Sequence, residues 1–127
     1  MTIAPLSAQV LVVDDEPDIR DLLSEVLEDE ACTVTTAPYG AAALAYLHQT
    51  PTLPKLILLD VMMPVMDGIA FLHAKLADPL LKDIPVVLLS AHLRLRPEVV
   101  QLPIEAFLPK PLDYDLLVAI THRYCDT

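Results

Sequence analysis

Short apolar runs alternate with helical patterns along this chain of 127 residues. Val10 to Val13, Leu56 to Leu59 and Val86 to Leu89 are continuous apolar runs, and Glu105 to Leu108 is a short further strand candidate. Cys32 to Thr36 is β-branched and alternating, which also favours a strand. Continuous apolar runs are typical of strands buried on both faces of a parallel sheet. The alternation therefore predicts an α/β fold with right-handed crossovers and helices on both faces of one sheet.

The segments between these runs carry helix signals. Pro17 suits the first turn of a helix, and the apolar residues that follow form one stripe: Ile19, Leu22, Leu23, Val26 and Leu27. Further helices are predicted from Gly40 to about His48, from Ile69 to about Ala77, and from Leu112 to about Tyr124. In the last of these, the residues predicted to face inward are Leu116, Leu117 and Ile120.

Polar residues follow the predicted strands at the point where each one ends. Asp14 and Asp15 follow the first run, Asp60 the third, Ser90 the fourth, and Lys110 comes just after the fifth. The carboxyl ends of parallel strands meet at one edge of a sheet, where open α/β sheets bind their ligands. Carboxylates, a hydroxyl and an ammonium gathered at that edge predict a site for a divalent cation and a phosphoryl group.

Each residue type suits a task in phosphoryl transfer. Mg²⁺ prefers a few carboxylates and keeps positions open for water and phosphate oxygens, and a carboxylate can attack phosphorus to form an aspartyl-phosphate. Lys110 would neutralise phosphoryl oxygens and Ser90 would donate a hydrogen bond to one of them. Taken alone, Asp60 could equally be a helix cap or turn residue. Several methionines in the loop after it could suggest a soft-metal site, but the carboxylates favour a hard ion.

The charge balance excludes several classes of function. Eight basic and eighteen acidic residues give a net charge of -10, which argues against nucleic-acid binding and against an anionic membrane surface.

No apolar run approaches the roughly 20 residues that span a bilayer. Cys32 and Cys125 have no metal or redox spacing and are interpreted as a small buried residue and a tail residue. A cytoplasmic protein is expected.

Four motifs in order resemble one family, the receiver domain of two-component response regulators, in its stand-alone, CheY-like form. The resemblance covers nearly the whole chain, and its motifs are Val12-Val13-Asp14-Asp15-Glu16-Pro17, Leu59-Asp60-Val61-Met62-Met63-Pro64 with Asp67-Gly68, Leu89-Ser90-Ala91, and Leu108-Pro109-Lys110-Pro111. It implies a flavodoxin-like, doubly wound five-stranded sheet in the order 2-1-3-4-5. It also implies a single receiver domain over residues 1–127, with residues 1–8 as a flexible N-terminal segment.

The resemblance implies a role for each site residue. Asp60 matches the phosphoacceptor. Asp15 matches the carboxylate that binds Mg²⁺ directly, and Asp14 matches the carboxylate that acts on Mg²⁺ largely through water. The backbone carbonyl of Met62 matches a further metal ligand. Ser90 matches the switch hydroxyl, and Lys110 matches the phosphate-pairing lysine, in a Lys110–Pro111 bond that is cis in relatives. Phe107 matches the aromatic that turns inward on phosphorylation, although simple core packing is favoured for this residue because it lacks the hydroxyl of a tyrosine. The implied donor is a phosphohistidine on a sensor histidine kinase or a histidine phosphotransfer protein.

The chain departs from the family pattern between Ser90 and Phe107. Pro97 and Pro103 intrude, the usual glycine is missing, and the spacing predicts a short or irregular fourth helix. We expect a remodelled, flexible surface there, with apolar residues partly exposed at Leu93, Leu95, Val99, Val100 and Leu102. The face formed by residues 91–125 is the expected contact for a downstream protein partner.

Two other functions remain open at the level of sequence. A constitutive adapter would keep the fold without the phosphorylation switch, although the intact acidic set disfavours it. An aspartate-nucleophile phosphatase would want a second Asp two residues after the nucleophile, where this chain has Met62. The preferred interpretation is a phosphoacceptor signalling module that catalyses at most its own phosphorylation and dephosphorylation.

Overall fold

A computed structural model describes residues 9–61, 68–90 and 104–125. Its strands are β1 (Gln9–Val13), β2 (Thr33–Ala37), β3 (Leu56–Asp60), β4 (Val86–Ser90) and β5 (Ala106–Pro109). The helices of the described ranges, numbered here in chain order, are α1 (Pro17–Asp29), α2 (Gly40–Gln49), α3 (Gly68–Leu76) and α4 (Tyr114–Cys125). These bounds agree with the predicted elements to within one or two residues at most ends.

All the strands pair in parallel in one five-stranded sheet with the order β2-β1-β3-β4-β5. This confirms the predicted flavodoxin-like fold class. Asp60 is the last residue of β3, and Ser90, the last residue of β4, lies opposite Pro109 of β5. The register therefore places the ends of β3, β4 and β5 side by side. Pro109 lacks a donor N–H but is tolerated because β5 lies at the edge of the sheet.

Alternate residues of each central strand face opposite layers of helices. Leu11 of β1 belongs to a core cluster that includes Phe71 of α3. Its neighbour Val10 belongs to a second cluster, with Leu23 of α1 and Leu117 of α4. Both faces of the sheet are thus covered, which explains why β1, β3 and β4 have continuous apolar sequences.

Three side chains differ from their predicted positions. Leu22 in α1 and Leu116 in α4 were expected to face inward, but their exposed fractions are 39% and 46%. Those two predictions were wrong because a stripe at helical spacing is wider than the contact each helix makes with the sheet. The tail position predicted for Cys125 was also wrong, since this residue ends α4 and is buried.

Several predictions fall outside the described ranges: the flexible segment 1–8, the carbonyl of Met62, the short fourth helix, and the exposed apolar residues between Leu93 and Leu102. Within the described ranges, no helix has both the length and the apolar content required to cross a bilayer.

Candidate functional site

Among the residues that the structure describes, four carboxylates gather where β1 and β3 end. One carboxylate oxygen from each of Asp14, Asp15, Glu16 and Asp60 lies within 4.8 Å of the others. Asp14 and Asp60 are almost completely buried, with exposed fractions of 0% and 3%, whereas Asp15 is half-buried and Glu16 is exposed. β1 and β3 are neighbours in the sheet, so the topology brings together carboxylates that are far apart in the sequence.

Lys110 reaches into this group from the segment after β5. Its Nζ lies 2.9 Å from Oδ2 of Asp14, 3.3 Å from Oε1 of Glu16 and 3.6 Å from Oδ2 of Asp60. Burial by itself would lower the pKa of Lys110. The hydrogen bond to Asp14 and the charges of Asp14 and Asp60, with a further hydrogen bond to Glu16, outweigh burial and raise this pKa above its usual value. Lys110 is therefore a stable cation against these carboxylates.

Asp14 organises the start of α1 as well as holding Lys110. Its Oδ1 accepts a hydrogen bond of 2.9 Å from the backbone N–H of Glu16, and its Oδ2 accepts from Lys110 Nζ. Its backbone carbonyl accepts a hydrogen bond of 2.8 Å from Nη1 of Arg20. Because one buried carboxylate makes two strong contacts, the turn between β1 and α1 has a defined geometry.

The backbone around Asp60 is anchored on both sides. The N–H of Val61 donates to the carbonyl of Leu89 in β4 at 3.1 Å, and the N–H of Gly68 donates to the carbonyl of Val61 at 2.9 Å. A Cβ atom at position 68 would lie 2.7 Å from the Asp60 carbonyl oxygen and 2.7 Å from Val61 Cα. Glycine is required there because α3 starts directly against the backbone that carries the carboxylate.

Ser90 and Lys110 are connected through their backbones. The N–H of Lys110 donates to the carbonyl of Ser90 at 2.7 Å, and the Lys110–Pro111 peptide bond is cis, as the resemblance implied. Ser90 is 2% exposed. The end of β4 and the segment after β5 therefore approach the carboxylates as one connected unit.

Phe107 lies in β5 next to this unit. Its side chain is partly buried and packs against the core cluster shared with α2 and α3. This position is compatible with both interpretations of Phe107, as core residue and as switch residue.

The sequence motifs predict no role for Glu16. Charge and spacing do not indicate which of several exposed acids in α1 and before it approaches a lysine far along the chain. The bond between Glu16 and Lys110 joins residues 94 positions apart. A signal was nevertheless present, since Glu16 directly follows the paired aspartates.

The family model of the response regulator receiver domain matches residues 10–122. The chain belongs to this family. It is 39% identical over 118 residues to an uncharacterized 14.6 kDa protein from the sodA1 3' region of Leptolyngbya boryana, covering 91% of this chain and 88% of that protein. It is also 39% identical to the response regulator Rre1 of Synechocystis, where 90% of this chain matches 50% of the relative.

Solved structures have the same fold. The phosphorylated cyanobacterial phytochrome response regulator RcpA superposes with a TM-score of 0.83 at 27% identity, covering 93% of this receiver domain and 94% of that chain. This chain spans 88% of the Leptolyngbya protein but only about half the length of Rre1 and about a quarter of other response regulators that it matches.

The donor set of this receiver domain fits a hard divalent cation. Asp14, Asp15, Glu16 and Asp60 offer carboxylate oxygens, and Lys110 compensates part of their charge. Mg²⁺ prefers oxygen ligands and few protein ligands, so that it retains water or phosphate oxygens.

Proposed function

We propose that this receiver domain accepts a phosphoryl group on Asp60, with Mg²⁺ bound among the carboxylates, and thereby changes a partner-binding surface. One observation carries the proposal: Asp60 lies 3.6 Å from Lys110 and within 4.8 Å of the other carboxylates. A phosphoryl group on Asp60 would lie close both to the ammonium group of Lys110 and to the carboxylates that could bind a metal ion. Membership of the receiver family supports the same role.

The chemical step is a phosphoryl transfer from a phosphohistidine. A carboxylate oxygen of Asp60 forms a bond to phosphorus as the P–N bond breaks, and the electron pair of that bond stays on the imidazole nitrogen. The proposed ligands of Mg²⁺ are Asp14, Asp15, Asp60 and the backbone carbonyl of Met62. When bound there, Mg²⁺ would neutralise negative charge on the phosphoryl oxygens. Lys110 pairs with one of these oxygens, since transfer depends mainly on positioning and charge compensation.

Ser90 and Phe107 are the proposed reporters of the phosphorylated state. Ser90 ends β4 and follows Leu89, the register partner of Asp60. Its hydroxyl would donate a hydrogen bond to a phosphoryl oxygen. Phe107 lies opposite Leu88, two residues before Ser90, in the register of β4 and β5, so a displacement of β4 would alter the contacts of Phe107. The face formed by residues 91–125 then changes its affinity for a downstream protein.

The proposed donor is a sensor histidine kinase or a histidine phosphotransfer protein, and the proposed compartment is the cytoplasm. The function is regulatory, because the domain would catalyse at most the formation and loss of its own aspartyl-phosphate. The acidic surface supports a protein partner over a nucleic acid.

Mass spectrometry of the intact protein tests the proposal. The wild type, Asp60→Asn and the control Asp29→Asn are incubated with acetyl phosphate and Mg²⁺; Asp29 is exposed at the end of α1. We expect the wild type and the control to gain the mass of one phosphoryl group, and Asp60→Asn to gain none. Equal modification of Asp60→Asn would identify another acceptor, and a wild type that neither gains mass nor binds beryllofluoride would contradict the proposed function.

A further inference from the structure

Glu16 shares the ammonium group of Lys110 with the two buried aspartates. Its Oε1 lies 3.3 Å from Lys110 Nζ, while Asp14 and Asp60 lie 2.9 and 3.6 Å from the same nitrogen. The Glu16 side chain is 59% exposed, in contrast to Asp14 and Asp60 at 0% and 5%. Glu16 is thus the partner of Lys110 that can leave at little cost, since water can solvate its carboxylate.

The position of Glu16 follows from the turn that leads into α1. Its backbone N–H is held by Asp14 Oδ1 at 2.9 Å, and Pro17 begins α1 immediately afterwards. The backbone between β1 and α1 is therefore constrained from both sides. As a result, the Glu16 side chain starts beside the ammonium group and reaches it from the solvent-facing side of the site.

A lysine ammonium has three N–H donors, and two of them are hydrogen-bonded to Asp14 and Glu16. A phosphoryl group on Asp60 that pairs with Lys110 through more than the remaining donor therefore displaces an existing partner. Asp14 is fully buried and keeps its hydrogen bond, because an unpaired buried carboxylate is costly. The exposed Glu16 carboxylate is the group that yields. A phosphoryl group on Asp60 would also place negative charge within a few ångströms of the Glu16 carboxylate. Repulsion between the two negative groups opposes binding of the phosphoryl group at the site.

We propose that Glu16 is a positioning residue that competes with the phosphoryl group for Lys110 and thereby limits how tightly the site holds that group. This role rests on the proposed phosphorylation of Asp60. It differs from a metal-ligand role, in which Glu16 would strengthen binding of Mg²⁺ and, through it, of the phosphoryl group.

Beryllofluoride affinity at saturating Mg²⁺ tests this role without any measurement of activity. Glu16→Gln removes the charge, and Asp18→Asn is a matched control because Asp18 is an exposed acid in the first turn of α1. We expect Glu16→Gln to bind beryllofluoride about threefold more tightly than the wild type, a change typical of an exposed ion pair. The advantage should shrink as NaCl is raised, since exposed charges are screened.

The outcomes separate the alternatives. Equal affinity of Glu16→Gln and the control overturns the role of Glu16 and leaves the proposed function standing. Weaker Mg²⁺ binding by Glu16→Gln, measured by titration with Mg²⁺ alone, together with unimproved beryllofluoride binding, overturns it in favour of a metal ligand. A wild type that binds no beryllofluoride overturns the proposed function and the role of Glu16 together.

Discussion

Lys75 is a buried lysine in α3, on the face of the sheet opposite α1 and α4. Its exposed fraction is 2%, and its Nζ donates a hydrogen bond of 2.9 Å to the carbonyl of Lys82. Burial lowers the pKa of Lys75, and the opposing charge of Asp83 restores only part of that loss. A charged group is thus retained in the core at an energetic cost, to satisfy a carbonyl in the turn before β4.

This burial predicts a pH dependence of stability. Because the folded-state pKa of Lys75 lies below the unfolded value of 10.5, the unfolded chain binds more protons and the free energy of unfolding rises with pH up to that value. Lys75→Met should lose this rise, and the control Lys82→Met, at an exposed position, should keep it. Urea denaturation from neutral pH to pH 10.5 measures the difference, and parallel curves for the two variants would contradict the assignment.

At the scale of elements, the helices differ in how closely their apolar stripe matches the buried face. In α4, Leu117 is fully buried and Leu116 is 46% exposed, although they are adjacent and chemically identical. Both belong to the apolar pattern of the sequence. The packing of α4 on the sheet and beside α1 selects which of the two is covered.

A pair of matched substitutions tests this selection. Leu117→Ala should lower the free energy of unfolding by about 2–5 kcal/mol, because it leaves a cavity between α4 and the sheet. Leu116→Ala should change it by less than about 0.5 kcal/mol, as expected for a surface position. Urea titration measures both, and similar losses in the two variants would mean that α4 is rotated relative to the described packing.

At the scale of the whole molecule, a net charge of -10 is concentrated in part at one edge of the sheet. Self-repulsion of such charge destabilises the compact state. A cation that binds the folded site and not the unfolded chain stabilises the fold by mass action. We therefore expect Mg²⁺ binding at the proposed ligands Asp14, Asp15 and Asp60 to raise the stability of the fold.

Thermal unfolding with Mg²⁺ tests this coupling. At a Mg²⁺ concentration of about 100 times Kd, the stabilisation should reach about 2.7 kcal/mol, with a corresponding rise in Tm that EDTA reverses. Asp15→Asn should lose most of this rise. NaCl at equal ionic strength is the control, and an equal rise with NaCl would show that general screening, not a bound cation, is responsible.

The sequence by itself determined the strands, their parallel order by resemblance, and the edge where the carboxylates meet, because continuous apolar runs and the polar residues that end them are local signals. Only the tertiary structure decided that Lys75 is buried, that Leu22 and Leu116 are exposed, and that Glu16 reaches Lys110. The physical reason is that each of these outcomes depends on distant elements: how far a helix rotates on the sheet, or which strands lie side by side. A contact across 94 positions leaves no periodic trace in the chain, so the acidic edge could be predicted while the partner that shares its lysine could not.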